Sequence, residues 1–497
     1  MAKKTINKEL TGAQDLYNFL FEACNIIRGP VSQDNFKDYI TPLLYYKRTS
    51  DVYDEETEEA LISSGGDKEY ASLPEQHRFV IPDGCHWQEV RERTENLGAA
   101  IVGAMRQIEI ANPDTLYGVL SMFSSQKWTN KAILNDSKIR DLIEHLSKRK
   151  LGNKDYPADL MGDAYEILLK KFADDSKAQA GEFYTPRSVV RLLVHILDPQ
   201  PGETVYDPAC GSGGMLIEAI RYMHDDSLCC GSIFGQEKNV VNAAIAKMNL
   251  FLHGASDFNV MQGDTLRDPK ILQGGNIAKF DCVIANPPFS LENWGATEWS
   301  SDKYKRNIYG TPSDSCGDYA WIQHMICSMS SGKGRMAVVM PQGILFRGNQ
   351  EAEIRKQLVE SDLIEAVVTL GDKLFYGTGL SPCFLIIRRM KQAHHSGRIL
   401  MIDGSKILTQ KRAQNILEEN DIDRLYSLYQ NYSDEEDYSR IVTLQEIRDK
   451  EYNLSPNRYV VYHKEEIRPY AEVLAEFKQA YADVKRLENE FSLLINA

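Results

Sequence analysis

Short β-rich runs alternate with helical patterns between residue 157 and about residue 410, and no other feature limits the possible folds as strongly. Such alternation is typical of strands joined by helical crossovers, which build a mainly parallel sheet covered by helices. We therefore expect an α/β domain over residues 157–460. Its clearest predicted strands are Thr204 to Tyr206, Asp281 to Ala285, Met336 to Met340 and Ala366 to Leu370.

The region before this domain, residues 1–156, has helical periodicity. Its clearest apolar stripe recurs at three- and four-residue spacing, and we expect a separate helical domain here. The acidic stretch Asp51 to Asp67 resembles a solvated loop. Ser433 to Asp437, near the other end of the chain, resembles a linker or an exposed loop. The apolar stripe of the region 1–156 consists of Leu16, Phe19, Leu20, Ala23 and Ile27.

The last segment, residues 461–497, predicts one long amphipathic helix. Apolar residues alternate three and four apart, as at the a and d positions of a coiled coil. Two interpretations stay open: the helix packs on its own domain, or it docks on a partner chain. The stripe consists of Tyr470, Val473, Phe477, Ala480, Val484, Leu487, Phe491 and Leu494.

Composition excludes several classes of protein. With 497 residues, 43% of them hydrophobic, the chain can bury a large core and is neither collagen-like nor wholly disordered. Nine cysteines without a CxxC pair argue against a disulfide or zinc framework. Because we find neither a signal peptide nor an apolar run of about 18 residues, we expect a cytoplasmic protein without a membrane segment. The net charge of −14 argues against a broadly basic surface, although net charge averages over unlike surfaces.

A glycine-rich turn follows the first predicted strand. Asp207 and Pro208 lead into Gly211, Ser212, Gly213 and Gly214, and a helical pattern begins at Met215. Glycines let the backbone approach a ligand closely, but this turn alone fits a dehydrogenase, a methyltransferase or a plain tight turn. Glu237, at the end of the second strand, is suited to accept hydrogen bonds from both ribose hydroxyls. Asp264, after the third strand, is suited to accept one from an adenine amino group. Together the three strand ends favour an adenosine-containing cofactor.

The most specific segment is Asn286-Pro287-Pro288-Phe289, directly after an apolar strand. The prolines fix the backbone, so that the Asn286 side-chain carbonyl and the Pro287 backbone carbonyl can face one point. Two acceptors suit the NH2 group of a planar ring on which Phe289 stacks. Hydrogen bonds to them favour a pyramidal nitrogen whose lone pair points at an electrophile.

These motifs resemble those of S-adenosylmethionine-dependent, N6-adenine-specific DNA methyltransferases. More closely, the chain resembles the modification (M) subunit of type I restriction-modification systems, over nearly its whole length. Two small departures are Met215, where Phe is common, and Leu380-Ser381-Pro382, where Ile-Pro-Thr is frequent. The other matching segments are Arg28-Gly29, Asp159 to Glu166, Gly181 to Pro186, Leu345 to Gly348 and Leu374 to Gly379.

The resemblance implies a Rossmann-like core that binds S-adenosylmethionine, flanked by the helical N-terminal domain and the C-terminal helix. It places Glu182, Phe183, Tyr184, Thr185 and Pro186 at the methionine end of the cofactor. It implies that adenine is flipped out of the DNA duplex and methylated at N6 beside Asn286 and Phe289, without a metal.

The resemblance also implies partners. A separate specificity subunit chooses the DNA site and usually holds two M subunits, and a restriction subunit joins the full complex. We find no GxxxxGK[ST] phosphate loop, so the chain is not the motor subunit. The recognised DNA sequence and the stoichiometry are left open.

Leu291 to Asp318, just after the catalytic motif, is a candidate DNA-contacting segment. It carries Trp294, Lys303, Lys305, Arg306 and Tyr309, which can reach phosphates; a solvated loop is the alternative. We expect positive charge to line the cleft only around residues 286–318. Two other functions compete with DNA methylation: methylation of protein glutamine or RNA, and a non-catalytic DNA-binding scaffold.

Overall fold

The computed structural model describes residues 2–116, 119, 125–175, 185–223, 232–255, 257–375, 381–411, 414–463 and 470–495. The helices are α1 (Ala2–Ile27), α2 (Lys37–Ser63), α3 (Lys68–Ala71), α4 (Trp87–Arg91), α5 (Leu97–Ala111), α6 (Pro113–Leu116), α7 (Ser125–Thr129), α8 (Asp136–Leu146), α9 (Ala158–Asp175), α10 (Arg187–Leu197), α11 (Gly214–Met223), α12 (Val240–Leu252), α13 (Ala296–Ser300), α14 (Asp318–Ser328), α15 (Asn349–Glu360), α16 (Glu419–Asn431), α17 (Leu444–Asp449) and α18 (Tyr470–Ile495). The strands are β1 (Val205–Asp207), β2 (Ile233–Glu237), β3 (Phe258–Gln262), β4 (Leu272–Gln273), β5 (Asn276–Ile277), β6 (Cys282–Ala285), β7 (Arg335–Pro341), β8 (Ile364–Leu370), β9 (Pro382–Arg388), β10 (Arg398–Gly404) and β11 (Ser439–Thr443).

A nine-stranded sheet forms the centre of the α/β region, in the order β11-β10-β8-β9-β7-β6-β1-β2-β3. Strands β1, β2, β3, β6, β7, β8 and β10 run in one direction, and β9 and β11 run against them. The prediction of a mainly parallel sheet is confirmed. The shared direction brings the ends of β1, β2, β3 and β6 to one edge, where the predicted site residues follow.

The N-terminal helices pack around an apolar core, and the helical periodicity predicted for this region is confirmed. The stripe on α1 is buried, with Leu16, Leu20 and Ile27 fully shielded from solvent. Helices α9 and α12 complete this core through residues such as Tyr165 and Phe251. The helical region therefore packs directly on the α/β region.

The predicted solvated loop from Asp51 to Asp67 is wrong, because α2 continues to Ser63. Its acidic side chains have partners: Asp51 accepts a hydrogen bond from the backbone N–H of Leu151 at 2.6 Å, and Glu55 from that of Asn153 at 2.6 Å. These carboxylates fasten the connection between the helical region and the α/β region. Ser433 to Asp437 is an exposed or half-exposed loop, as predicted.

The C-terminal helix α18 forms as predicted, but its apolar stripe lies in solvent. Phe477 is 66% exposed, Leu487 57% and Phe491 64%. Packing of this helix on its own domain, one of the two interpretations, is therefore wrong for these residues. None of the helices in the described part of the chain has the length and apolar character needed to cross a membrane.

Candidate active site

The glycine-rich turn connects β1 to α11 at the carboxyl edge of the sheet. Gly211 and Gly213 have φ values of +53° and +85°, which favour glycine over residues with a Cβ. The N–H of Gly211 donates to the carboxylate of Glu237 at 3.0 Å, so the ends of β1 and β2 are tied together. The second oxygen of Glu237 accepts from the N–H of Asn239 at 2.7 Å.

An open pocket lies over this turn. Among the predicted cofactor residues, Thr185, Asp207, Gly211, Ser212 and Gly214 line it, and Asn286 from the predicted catalytic motif lies at its wall. Pro186, Pro208 and Gly213 adjoin the lining residues in the chain. Glu182, Phe183 and Tyr184 lie outside the described residues. Six further residues line the pocket and were not predicted as site residues: Arg187, Val190, Ala209, Cys210, Met215 and Glu218.

Two of these residues, Arg187 and Glu218, could have been predicted from the sequence. Arg187 directly follows the Gly181 to Pro186 segment, and Glu218 lies four residues after Gly214 on the same helix. Arg187 lies 3.7 Å from Glu218 and 3.4 Å from Asp163 of α9. A helix that begins at a glycine turn presents its i+4 position to the same pocket, which was a usable signal for Glu218.

The carboxylates of the site differ in their surroundings. Asp207 is 2% exposed, and burial raises its pKa to about 8. Its side chain accepts from the N–H of Ala209 at 2.9 Å. Asp264 is partly exposed and pairs with Lys238 at 2.9 Å. Its predicted contact with an adenine amino group stays a prediction.

Asn286 follows β6, lines the pocket and has an acceptor that no described residue uses. Its Nδ2 donates to the hydroxyl of Thr185 at 2.7 Å, which fixes the plane of the amide. Its Oδ1 is buried and has no hydrogen-bond partner among the described residues. A buried polar atom without a partner is costly, and the NH2 group of a bound ligand would satisfy it.

The other three residues of the motif differ in exposure. Pro287 is buried, whereas Pro288 is exposed. Phe289 is half-buried, and its ring centroid lies 6.5 Å from that of Phe375, with the planes tilted by 55°. The aromatic ring of the motif is thus half-exposed and available for stacking on a planar base.

The prediction that Trp294 and Arg306 contact DNA is wrong, because both are buried, at 2% and 1% exposure. The guanidinium of Arg306 donates to the carbonyls of Thr265 and Leu266 at 2.9 and 2.7 Å and lies 4.5 Å from the ring of Trp299. Its guanidinium is therefore bound inside the fold and does not reach the surface. Tyr309 is half-buried, and Lys303 and Lys305 are exposed.

The expected positive lining is also wrong for this segment. Its exposed charged side chains are Glu292, Glu298, Lys303, Lys305 and Asp314, three acids against two lysines. A nearby group of Cys316, Asp318 and Glu351 has the spacing of metal ligands. Arg347 pairs with both carboxylates, however, and already supplies the positive charge there.

Comparisons with known proteins agree with this geometry. The N-6 DNA Methylase family matches residues 156–467, and the HsdM N-terminal domain family matches residues 16–146. The chain is 34% identical to the methylase subunit of the type I restriction enzyme MjaVII from Methanocaldococcus jannaschii, over 90% of this chain and 78% of that protein. It is 31% identical to the HindI methylase subunit from Haemophilus influenzae, over 76% and 84%.

Solved structures give the same result. The crystal structure of a type I restriction-modification methyltransferase subunit from Streptococcus thermophilus superposes with a TM-score of 0.78 at 26% identity, over 91% of this chain and 100% of that one. These matches give no support to a protein or RNA methyltransferase or to a non-catalytic scaffold. The chain therefore belongs to the N-6 DNA methylase family and, within it, to the adenine-specific, S-adenosylmethionine-dependent methylase subunits of type I restriction enzymes.

Proposed function

We propose that Asn286, Pro287, Pro288 and Phe289 hold a flipped-out adenine for methylation at N6. The observation that carries this proposal is the buried Oδ1 of Asn286, without a partner among the described residues. This oxygen and the Pro287 carbonyl accept the two N6 hydrogens and direct the nitrogen lone pair, while Phe289 stacks on the base. S-adenosylmethionine, when bound, supplies the methyl group.

The pocket fits this cofactor because it combines a glycine backbone with the carboxylates of Asp207 and Glu218, which suit a cationic molecule. We assign Glu237 to the ribose hydroxyls and Asp264 to the adenine amino group. The turn from Asp207 and Pro208 through Gly211, Ser212, Gly213 and Gly214 approaches the body of the cofactor. The segment from Glu182 to Pro186 takes its methionine end.

We further propose three units: a helical domain at residues 1–156, the catalytic domain at 157–460 and a docking tail at 461–497. The apolar stripe of α18, exposed over its described side chains, supports a specificity subunit as its partner. That subunit brings together two methylase subunits, DNA and, in the full enzyme, the restriction subunit. We place the protein in the cytoplasm, with its DNA substrate.

The catalytic assignment is tested with labelled cofactor and unmodified duplex DNA, in the complex with the cognate specificity subunit. Wild-type complex yields N6-methyladenine. Asn286→Ala abolishes methylation but leaves assembly intact, whereas Asn259→Ala, exposed on β3, leaves both intact. Retained methylation by Asn286→Ala would refute the role of the amide, and label found only in protein or RNA would refute the substrate.

The tail assignment is tested by two matched double variants on α18. Phe477→Asp with Leu487→Asp charges the apolar stripe, and Gln479→Asp with Asn489→Asp charges the opposite face. We expect the first pair to weaken binding of the specificity subunit about 100-fold, and the second to change it little. Equal binding by both variants contradicts docking through this stripe.

A further inference from the structure

The backbone just after the catalytic motif has an unusual conformation. Ser290 and Asn293 have φ values of +48° and +52°, which non-glycine residues adopt rarely and at a cost in energy. Such a conformation persists where surrounding contacts impose it. The orientation of Phe289, one residue earlier, therefore depends on what holds Ser290.

The side chain that holds Ser290 is Asp318, the first residue of α14. Its Oδ1 accepts from the N–H of Ser290 at 2.7 Å, and the residue is fully buried. Two backbone bonds reinforce this attachment: Gly317 N–H donates to the carbonyl of Leu291 at 3.0 Å, and Asn293 N–H to that of Asp314 at 2.8 Å. Asp318 thus fastens this loop directly after Phe289, and Arg267 holds its far end by donating to the carbonyl of Asn293 at 2.6 Å.

The buried charge of Asp318 is balanced from a third segment. Arg347 donates to the other Asp318 oxygen, and also to Glu351 at 2.6 Å. The backbone N–H of Arg347 bonds to the carbonyl of Gly343, in the short 3-10 helix that follows β7. The ends of β6 and β7 and the start of α14 are thus linked through one carboxylate.

We infer that Asp318, oriented by Arg347, is a positioning residue for methyl transfer. It fixes the backbone at Ser290 and, through it, the ring of Phe289 relative to the Asn286 and Pro287 acceptors. This inference rests on the proposed role of Asn286 to Phe289. A displacement of about 1 Å at a reacting centre can lower the rate about 100-fold without weakening binding.

The test uses the reconstituted complex with its specificity subunit. Single-turnover methylation, cofactor and DNA dissociation constants and the melting temperature are measured for Asp318→Ala, Asp318→Asn and Arg347→Met. Asp318→Ala lowers the rate about 100-fold, with both dissociation constants within about threefold of wild type. Asp318→Asn recovers part of the rate, since its amide oxygen accepts from Ser290 although its NH2 group cannot accept from Arg347, and Arg347→Met also falls between Asp318→Ala and wild type.

Glu203→Ala is the matched control, because it breaks a partly buried carboxylate–arginine pair at the opposite edge of the sheet. It lowers stability without lowering the rate of folded enzyme. The inference is overturned if Asp318→Ala behaves like this control, or if Asp318→Asn folds and is as slow as Asp318→Ala. Should Asp318→Ala fail to fold, a wild-type rate for Arg347→Met overturns it, and a loss of at least about tenfold at unchanged cofactor affinity supports it. Retained methylation by Asn286→Ala would instead refute the proposed function itself.

Discussion

The two edges of the central sheet use buried polar groups in opposite ways. At the amino edge, Arg335 at the start of β7 donates to Glu203 at 2.6 Å and to the carbonyl of Asp198 at 2.6 Å. At the carboxyl edge, Asp207 is buried with a raised pKa, and Asn286 keeps an acceptor that no described residue uses. The first edge thus stabilises the fold, and the second holds polar atoms ready for a ligand.

Breaking the amino-edge pair gives the largest expected effect on stability. Arg335→Met leaves the partly buried Glu203 carboxylate without its cation, and we expect a loss of about 2–3 kcal/mol in the free energy of unfolding. Denaturant unfolding measures this loss, and calorimetry measures the cofactor affinity of the folded variant, which stays near wild type. A large loss of affinity at full folding would show that the two edges are not independent.

Substitution of one threonine at each edge tests this difference between the two edges further. Thr185→Val removes the hydroxyl that holds the Asn286 amide, and we expect methylation to slow about tenfold, about 1.4 kcal/mol. Thr204→Val removes hydrogen bonds with Asp281, both of 3.0 Å, at the amino edge. It lowers the free energy of unfolding by about 1–2 kcal/mol and leaves the rate unchanged. A reversed pattern would contradict the division.

We expect cofactor binding to depend on pH through Asp207. Because burial raises its pKa to about 8, the free carboxyl is largely protonated at neutral pH. A cationic cofactor favours the ionised form and lowers this pKa, so binding releases a proton. Affinity then rises with pH up to about 8, by at most about tenfold per pH unit.

Calorimetric titration of S-adenosylmethionine across this range measures the slope. Asp207→Asn removes it, and S-adenosylhomocysteine, which lacks the sulfonium charge, reduces it. The same raised pKa means that the stability contributed by the protonated, cofactor-free carboxyl is lost as pH rises through about 8. An Asp207→Asn protein that keeps the full slope would assign the proton to another group.

The periodicity of apolar residues predicted where helices form, but not whether their apolar faces are buried. The stripes on α1 and α18 have the same three- and four-residue spacing, yet Leu20 is fully buried and Phe477 is 66% exposed. Spacing fixes which face of a helix is apolar, whereas burial depends on distant segments or on another chain. The strand ends at Asp207, Glu237, Asp264 and Asn286 were predictable because parallel strands share an edge.

Charged residues were the least predictable. Arg306 and the acidic stretch from Asp51 have the composition of solvated segments, but the fold supplies partners far away in sequence: the Thr265 carbonyl for Arg306 and the Leu151 N–H for Asp51. A long-range hydrogen bond leaves no periodic trace in the sequence. The link from Asp318 to Ser290 was hidden for the same reason.

The smallest expected effect is that of alanine substitutions at two glycines, one on either side of β1. Gly202, at the amino edge, has φ +86°, Gly211, at the carboxyl edge, has φ +53°, and a Cβ at either would meet nothing within 4 Å. Alanine at each position is therefore strained only in its backbone, and we expect each variant to lose about 1 kcal/mol of stability. Gly211→Ala, but not Gly202→Ala, also places a methyl group at the pocket and weakens S-adenosylmethionine binding, as calorimetry on both variants would measure. Equal cofactor affinity for the two variants would mean that the ligand does not approach the backbone at Gly211, and the glycine turn would then serve the fold alone.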